Sequence, residues 1–590
     1  MSEGTSSVGA EQPRRELRFA KLGALLAGRE RQLVIFSCGL CYFAQSFVAW
    51  GWPAVDGYPA IERWLDPSFL PTDFYTATTT GFGVDTWQAV LFGSIQRWTG
   101  IHYTVQIALL TALRHLLWPW VLYRFFKALL KDETAALTGV VLGVLAEFAL
   151  PKTLSWGWLW GDGSPAMMAV FVMTLAWTEM LRQRAGLGLL LLGAATVMQP
   201  LVGVHGAIFA STIFLFGYSP AELIAALKKP ATYAGGAAFV AIFLWHYFAL
   251  SPPAAERLPI QDYVRILAWE RHPGDFLVSR ISARDWLAWF LGVAAVGIMA
   301  AHVWRRMKGR ALIAAGLAAY AAICVGSYLF VELKPVRLVV DLIPFRTVAI
   351  GAPLLLAIIG CFGADMLRSG RWTAAAGMAL ASALAGYYGQ RLGLPLEGAS
   401  ALLLGSAVLG SLPRRDRVPA AEDGAILLVW RLAIFGLLAA AIPAGLARHE
   451  YMQIPERANQ HPVYAWASEA TPPNSRFLVE QMSSDGHYAE VISPQLMRLV
   501  GRRAVVASRD YPFRDSDARA WLRTWVVALD HGRADRVERA SAHDLRAICG
   551  RLPYDYVVRR TPPPGGHLKQ AASFGSTRGI GPLQVYEVCD

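Results

Sequence analysis

Thirteen separate apolar runs fill most of the first three quarters of the chain, at 33–50, 101–126, 135–151, 165–181, 186–199, 203–218, 232–250, 285–304, 310–330, 346–367, 372–388, 396–412 and 424–446. Each approaches the roughly 20 residues that a helix needs to cross a bilayer. Backbone in lipid must satisfy its own polar groups, so runs of this length are expected to be helices. With 55% of its 590 residues hydrophobic and only 17% charged, the chain reads as an α-helical polytopic membrane protein rather than a soluble enzyme. The runs at 186–199 and 203–218 are short and are separated by Gln199-Pro200-Leu201-Val202-Gly203, which fits either a tight hairpin of spans or one broken helix.

Charge orients these runs. The net charge is +12, but Lys and Arg stand mostly beside the ends of the apolar runs, where they meet lipid headgroups, and this argues against nucleic-acid binding. Residues 1–32 are polar and basic, and no small-residue cleavage site follows the first run, which predicts an uncleaved first span. Lys127 and Lys131, Arg182 and Arg184, Lys228 and Lys229, Arg305 to Arg310, Arg368 and Arg371, and Arg414 to Arg417 all fall on the side of the N-terminus. The positive-inside rule makes that side cytoplasmic. An odd span count then puts residues 449–590 outside, on the same face as the long loops 51–100, 251–284 and 332–345. The region 33–448 is the expected membrane domain.

The tail 449–590 changes character. Apolar runs shorten, charges rise, and turn signals such as Thr471-Pro472-Pro473 and Pro562-Pro563-Pro564-Gly565-Gly566 appear. Phe477 to Val479, Ala504 to Ala507, Tyr556 to Val558 and Leu583 to Tyr586 are expected strands; Ser516 to Asp530 and Asp544 to Cys549 are expected helices. This predicts a small α/β domain outside the cytoplasm. Its two cysteines, Cys549 and Cys589, are free to pair in an oxidising compartment. The other four are scattered, with a lone CxxC at Cys38 and Cys41 that reads as buried thiols.

The first outer loop holds the most chemistry: Gly51-Trp52-Pro53-Ala54-Val55-Asp56-Gly57-Tyr58-Pro59, then Ile61 to Tyr75 with Glu62, Asp66-Pro67 and Pro71-Thr72-Asp73. Asp56 follows closely on the first span, where partial burial can raise a carboxylate towards the range of a general base. Asp66-Pro67 and Pro71-Thr72-Asp73 are also ordinary turn and helix-cap chemistry. A first span, a long outer loop with an acidic residue just past it, about a dozen spans and an extracytoplasmic tail together resemble the GT-C superfamily of integral-membrane glycosyltransferases. The nearest resemblance is to bacterial members whose first loop carries an acidic, an Asp-Pro and a later Asp position, and whose tail opens on a Thr-Pro segment. The resemblance implies that a first-loop carboxylate activates the acceptor, Asp56 by position with Asp73 as its rival, and that the donor is a polyprenyl-phosphate sugar. The loop lacks the adjacent acidic pair of better-studied branches.

A lipid-phosphate leaving group calls for cations at the outer interface. The candidates are Arg271 and His272, with Lys334, Arg337 and Arg346, the last where an outer loop re-enters the membrane. The loop Lys152 to Pro165 brings Trp158, Trp160 and Asp162, which read either as an aromatic belt or as a floor for a sugar ring. Arg114, His115 and Glu147 lie within spans, where ionisable groups suggest function. Walker A, GxSxG, HExxH and strand-linked GxGxxG motifs are absent from the sequence. What the GT-C resemblance implies is a hexosyl- or pentosyltransferase of the bacterial inner membrane. Its partners would be a polyprenyl-phosphate donor, a glycan, lipid or protein acceptor, and membrane lipid. No cofactor is implied with certainty, and a divalent metal is left open. The rival readings are a flippase for lipid-linked saccharides and a non-catalytic polysaccharide-assembly protein.

Overall fold

A computed structural model describes residues 29–47, 52–79, 86–146, 165–250, 257–271, 276–342, 346–386, 395–413, 428–442, 461–479, 494–507, 515–530, 536–576 and 582–589. Every apolar run coincides with a helix. The first is α1 (Glu30–Ser46), and the outer loop after it is itself helical: α2 (Trp52–Leu65), α3 (Phe74–Thr79) and α4 (Thr86–Thr99). The membrane body continues with α5 (Tyr103–Leu130), α6 (Glu133–Ala146), α7 (Pro165–Leu181), α8 (Ala185–Met198) and α9 (Pro200–Thr212), the last prolonged by a π turn, Ile213–Gly217. After α10 (Pro220–Leu227) come α11 (Pro230–Leu250), the short α12 (Ile260–Val264), α13 (Ala283–Val303), α14 (Arg310–Ser327), the short α15 (Arg337–Asp341), α16 (Arg346–Arg368), α17 (Trp372–Ala385), α18 (Leu396–Ser411) and α19 (Leu428–Ile442). Among the described residues six helices are long and apolar enough to cross a membrane, and six more are shorter and apolar. The chain is a polytopic helical membrane protein.

The ambiguity at Gln199 is resolved as a hairpin. Gln199 is extended, Pro200 opens α9, and α9 folds back along α8. A Cβ on Gly203 would lie 2.0 Å from Thr196 Oγ1, and one on Gly206 would meet Leu192. Contacts at 203 with 196 and at 206 with 192 run antiparallel. Pro200 suits this joint because the first helical position needs no backbone N–H.

Charged loop residues close one end of the bundle. Arg31 pairs with Glu133 at 2.6 Å, and Lys127 reaches the same carboxylate at 3.3 Å. Arg368 holds Asp132 with two bonds of 2.8 and 2.7 Å. Asp365 takes His302 and Arg306, and buried Glu179 takes Arg124, Arg182 and Arg184. Of the basic loops, those holding Lys127, Arg182 and Arg184, Arg306, and Arg368 are tied by these carboxylates, while Arg414 to Arg417 lie outside the described residues. The same face carries α10, which was not foreseen in the sequence; a capping box between Ser219 and Glu222 starts it.

The opposite end is built from loops and tail. The tail contains α20 (Pro462–Ala470), α21 (Pro494–Leu499), α22 (Asp515–Leu529), α23 (Arg536–Arg539) and α24 (Ala542–Cys549) around five strands: β1 (Arg476–Val479), β2 (Ala504–Val505), β3 (Tyr556–Arg559), β4 (Lys569–Phe574) and β5 (Leu583–Glu587). The sheet order is β2-β1-β3-β5-β4. β1 runs parallel to β2 and β3, and β5 is antiparallel to both its neighbours. Cys549 and Cys589 form a disulfide with their Cα atoms 6.2 Å apart, while Cys38 and Cys41 are buried thiols.

One hydrophobic core joins tail and loops. Trp521, Trp525 and Val557 of the tail pack in the same cluster as Tyr75 of the first outer loop, Ile266 of the second and Val340 of the third. The three long loops and the tail therefore meet at one end of the bundle.

Candidate functional site

The candidate site lies where these loops meet the tail. Helix α2 carries Asp56 in its second turn, so the expected loop position is a helical one, with the side chain of Asp56 outside the described set. The helix is fixed by its later residues. Tyr58, Ala60 and Ile61 are buried against Ala89 and Phe92 of α4 and against Tyr103 and Ile107 at the start of α5. The Tyr103 hydroxyl donates to Glu62 Oε1 at 2.9 Å, and burial pushes the Tyr58 phenol above its usual range. From α4, Trp87 Nε1 donates to Met198 O at 3.0 Å, tying the loop to the tip of the α8–α9 hairpin.

The other acidic residues of this loop are occupied. Asp66 accepts the Ser68 N–H at 2.9 Å and the Ser68 hydroxyl at 2.6 Å, and these hydrogen bonds hold its carboxyl below the usual range. Asp73 is fully buried and caps α3, its Oδ1 accepting the Thr76 N–H at 2.8 Å. Its Oδ2 accepts the Val505 N–H at 2.9 Å. Arg498 Nε stands 3.2 Å from both carboxylate oxygens, and the guanidinium lies 4.4 Å over the Tyr75 ring. Asp73 thus serves as helix cap and as anchor for the tail. Sequence reasoning missed Arg498, since 425 residues separate the pair and only an apolar surrounding, Leu496-Met497-Arg498-Leu499-Val500, hints at a buried charge.

Among the cation candidates, Arg337 opens α15, lies 4.2 Å over the Tyr263 ring and sits 3.9 Å from Asp341. The Tyr263 hydroxyl donates to the same Asp341 at 2.7 Å. The second and third outer loops are thereby coupled, and Lys334 is exposed just before them. Arg346 is the first residue of α16 and Arg271 the last of a π turn, Arg265–Arg271; their side chains lie outside the described set. His272, Trp158, Trp160, Asp162 and Glu147 also lie outside the described residues. Within the bundle, buried Arg114 and His115 gather on α1: His115 stacks on Tyr42 with centroids 5.1 Å apart, donates from Nδ1 to Thr111 O at 2.7 Å, and leaves Arg114 over the Tyr42 and Trp118 rings. No group of three or more His, Cys, Asp or Glu able to hold a metal ion is found among the described residues.

No protein-family model and no curated protein matches the chain. Among solved structures it is similar to the crystal structure of ArnT from Cupriavidus metallidurans in the apo state, at 11% sequence identity and a TM-score of 0.41, over 97% of this chain and 98% of that one.

Proposed function

We propose that the protein is a membrane glycosyltransferase of the GT-C type that moves a monosaccharide from a polyprenyl-phosphate carrier to an acceptor at the periplasmic face of the bacterial inner membrane. The observation that carries this reading is the roof over the outer ends of the spans: three loops and the tail share one core, and α2 is clamped between the start of α5 and tail residue Leu499. A roof of this kind excludes bulk water at the depth where a lipid-phosphate sugar would stand, which strengthens electrostatic stabilisation of a leaving phosphate.

In this reading Asp56 takes the proton of the acceptor hydroxyl as its oxygen attacks the anomeric carbon. The bond from that carbon to the phosphate oxygen breaks, the polyprenyl phosphate leaves with the electron pair, and the configuration inverts. Arg346 would receive the phosphate, aided by the helix N-terminus at which it stands, because the first N–H groups of α16 and its macrodipole both favour an anion there. Arg271 and His272, Arg337 and Lys334 form the outer rank of cations, with Trp158, Trp160 and Asp162 as a sugar platform. Asp73, enclosed by donors, positions rather than transfers a proton.

The test is transfer of radiolabelled sugar from a panel of polyprenyl-phosphate monosaccharides in membranes holding equal amounts of wild type or Asp56→Asn. Wild-type transfer that falls by roughly a hundredfold or more in the variant supports the reading. Unchanged transfer by Asp56→Asn removes Asp56 as the base. No transfer from any donor, with protein-dependent movement of a labelled lipid-linked sugar across the bilayer, replaces the transferase with a flippase.

A further inference from the structure

We infer that Arg498 is a positioning residue: acting through Asp73, it fixes the first outer loop and its helix α2 against the tail. The inference rests on the reading of Asp56 as the base for its catalytic consequence, but not for its structural one.

Two neighbouring residues of α21 hold two parts of the same loop. Arg498, 2% exposed, grips Asp73 and covers Tyr75. Leu499, the next residue, packs with the cluster of Tyr58 and Ile61 on α2. The loop is thus pinned at 73–75 and at 58–61, and Asp56 stands two residues before the second pin. A third contact closes the arrangement. β2 is an edge strand, paired only with β1, and its outward Val505 N–H is taken by Asp73 rather than left open. The carboxylate therefore meets a side-chain donor of the tail, a backbone donor of the tail and the N-terminus of α3 at once.

A buried ion pair contributes little net stability compared with an apolar replacement, because desolvation offsets most of its attraction, but it is directional and fixes relative geometry. Arg498 Nε, shared between both carboxylate oxygens, and the two backbone N–H groups leave Asp73 one placement. Moving a catalytic group by about 1 Å costs roughly a hundredfold in rate, so a latch of this kind matters to α2 even where the fold survives without it.

The experiment compares wild type with Arg498→Gln, Arg498→Lys and Asp73→Asn in the full-length protein in detergent. It measures amide hydrogen exchange of residues 52–65 and of strands β1 and β3, then kcat and KM for the donor that the panel identifies. The expected result is intact protection of β1 and β3, exchange in 52–65 faster by about tenfold or more, and kcat lower by roughly a hundredfold at little-changed KM. Arg498→Lys, which keeps the charge but loses the planar guanidinium and its Nε donor, is expected to fall between wild type and Gln. If Arg498→Gln melts the tail, Asp73→Asn carries the test, since it leaves the tail sequence unaltered. Unchanged exchange in 52–65 overturns the inference, and so does melting of β1 and β3 in all three variants, which would make the pair a mere support of the tail. The exchange arm needs no substrate, so it decides the latch even if transfer proves independent of Asp56.

Discussion

Arg368, at the end of α16, holds Asp132, between α5 and α6, by a two-pronged bond of 2.8 and 2.7 Å. The two residues lie 236 positions apart, so the pair joins early and late halves of the bundle at one face. Burial alone would raise the Asp132 carboxyl, but the Arg368 hydrogen bonds and charge, with the Ala135 and Thr134 N–H groups, outweigh it and hold the pKa below its usual value. A carboxylate depressed on folding contributes stability above its unfolded pKa of about 3.9 and loses it as pH falls through the lower folded value. Asp132→Asn is therefore expected to cost about 1 kcal/mol at neutral pH and to flatten the acid limb below roughly pH 4. Acid titration of the detergent-solubilised protein, followed by tryptophan fluorescence, checks this; parallel wild-type and variant curves throughout would refute it.

The α8–α9 hairpin depends on Gly203. A Cβ there would stand 2.0 Å from Thr196 Oγ1 and 2.7 Å from Thr196 Cα, and backbone cannot yield as a flexible side chain does. Gly203→Val is expected to destabilise the protein by roughly 3 kcal/mol. Gly297 on α13 has nothing within 4 Å of a built Cβ, so Gly297→Ala should be neutral or gain up to about 1 kcal/mol of helix propensity. Thermal melts of the two variants distinguish a packing constraint from a general intolerance of substitution.

The bond between Cys549 and Cys589 closes 40 residues. Constraint of the unfolded chain over a loop of that size is worth roughly 4 kcal/mol. Replacing both cysteines by Ser should lower the melting temperature of the tail to that of the wild type under reductant, and wild type alone should shift mobility on a non-reducing gel. Equal melting with and without reductant would show that the bond adds nothing.

How legible these features were depends on the range of the signal. The spans were readable because each apolar run satisfies the bilayer by itself, and even the short ones at 186–199 and 203–218 proved to be two helices. The first outer loop concealed its helices: Pro59 sits inside α2, and the bilayer-scale apolar signal is missing there. Strands β1, β2, β3 and β5 announced themselves through Val, Leu and aromatic residues, whereas β4, Lys569-Gln570-Ala571-Ala572-Ser573-Phe574, is an edge strand with no fully buried and no β-branched residue. In the first loop, Asp56 was favoured by position and Asp73 stood as its rival, because an isolated Asp looks alike in sequence as a base, a cap or an ion-pair partner. The partners that make Asp73 a cap and an ion-pair member, Arg498 and Val505, lie more than 400 residues away and left no local signal.

The core shared between loops and tail also governs how the molecule can be made. Trp521 and Trp525 find partners such as Tyr75, Ile266 and Val340 only after those much earlier stretches have been delivered to the same side of the membrane as the tail. The tail is then a proofreader of the loops inserted before it. A span threaded upside down would strand one of those loops on the wrong side and leave the tail with a bare apolar surface, which invites aggregation.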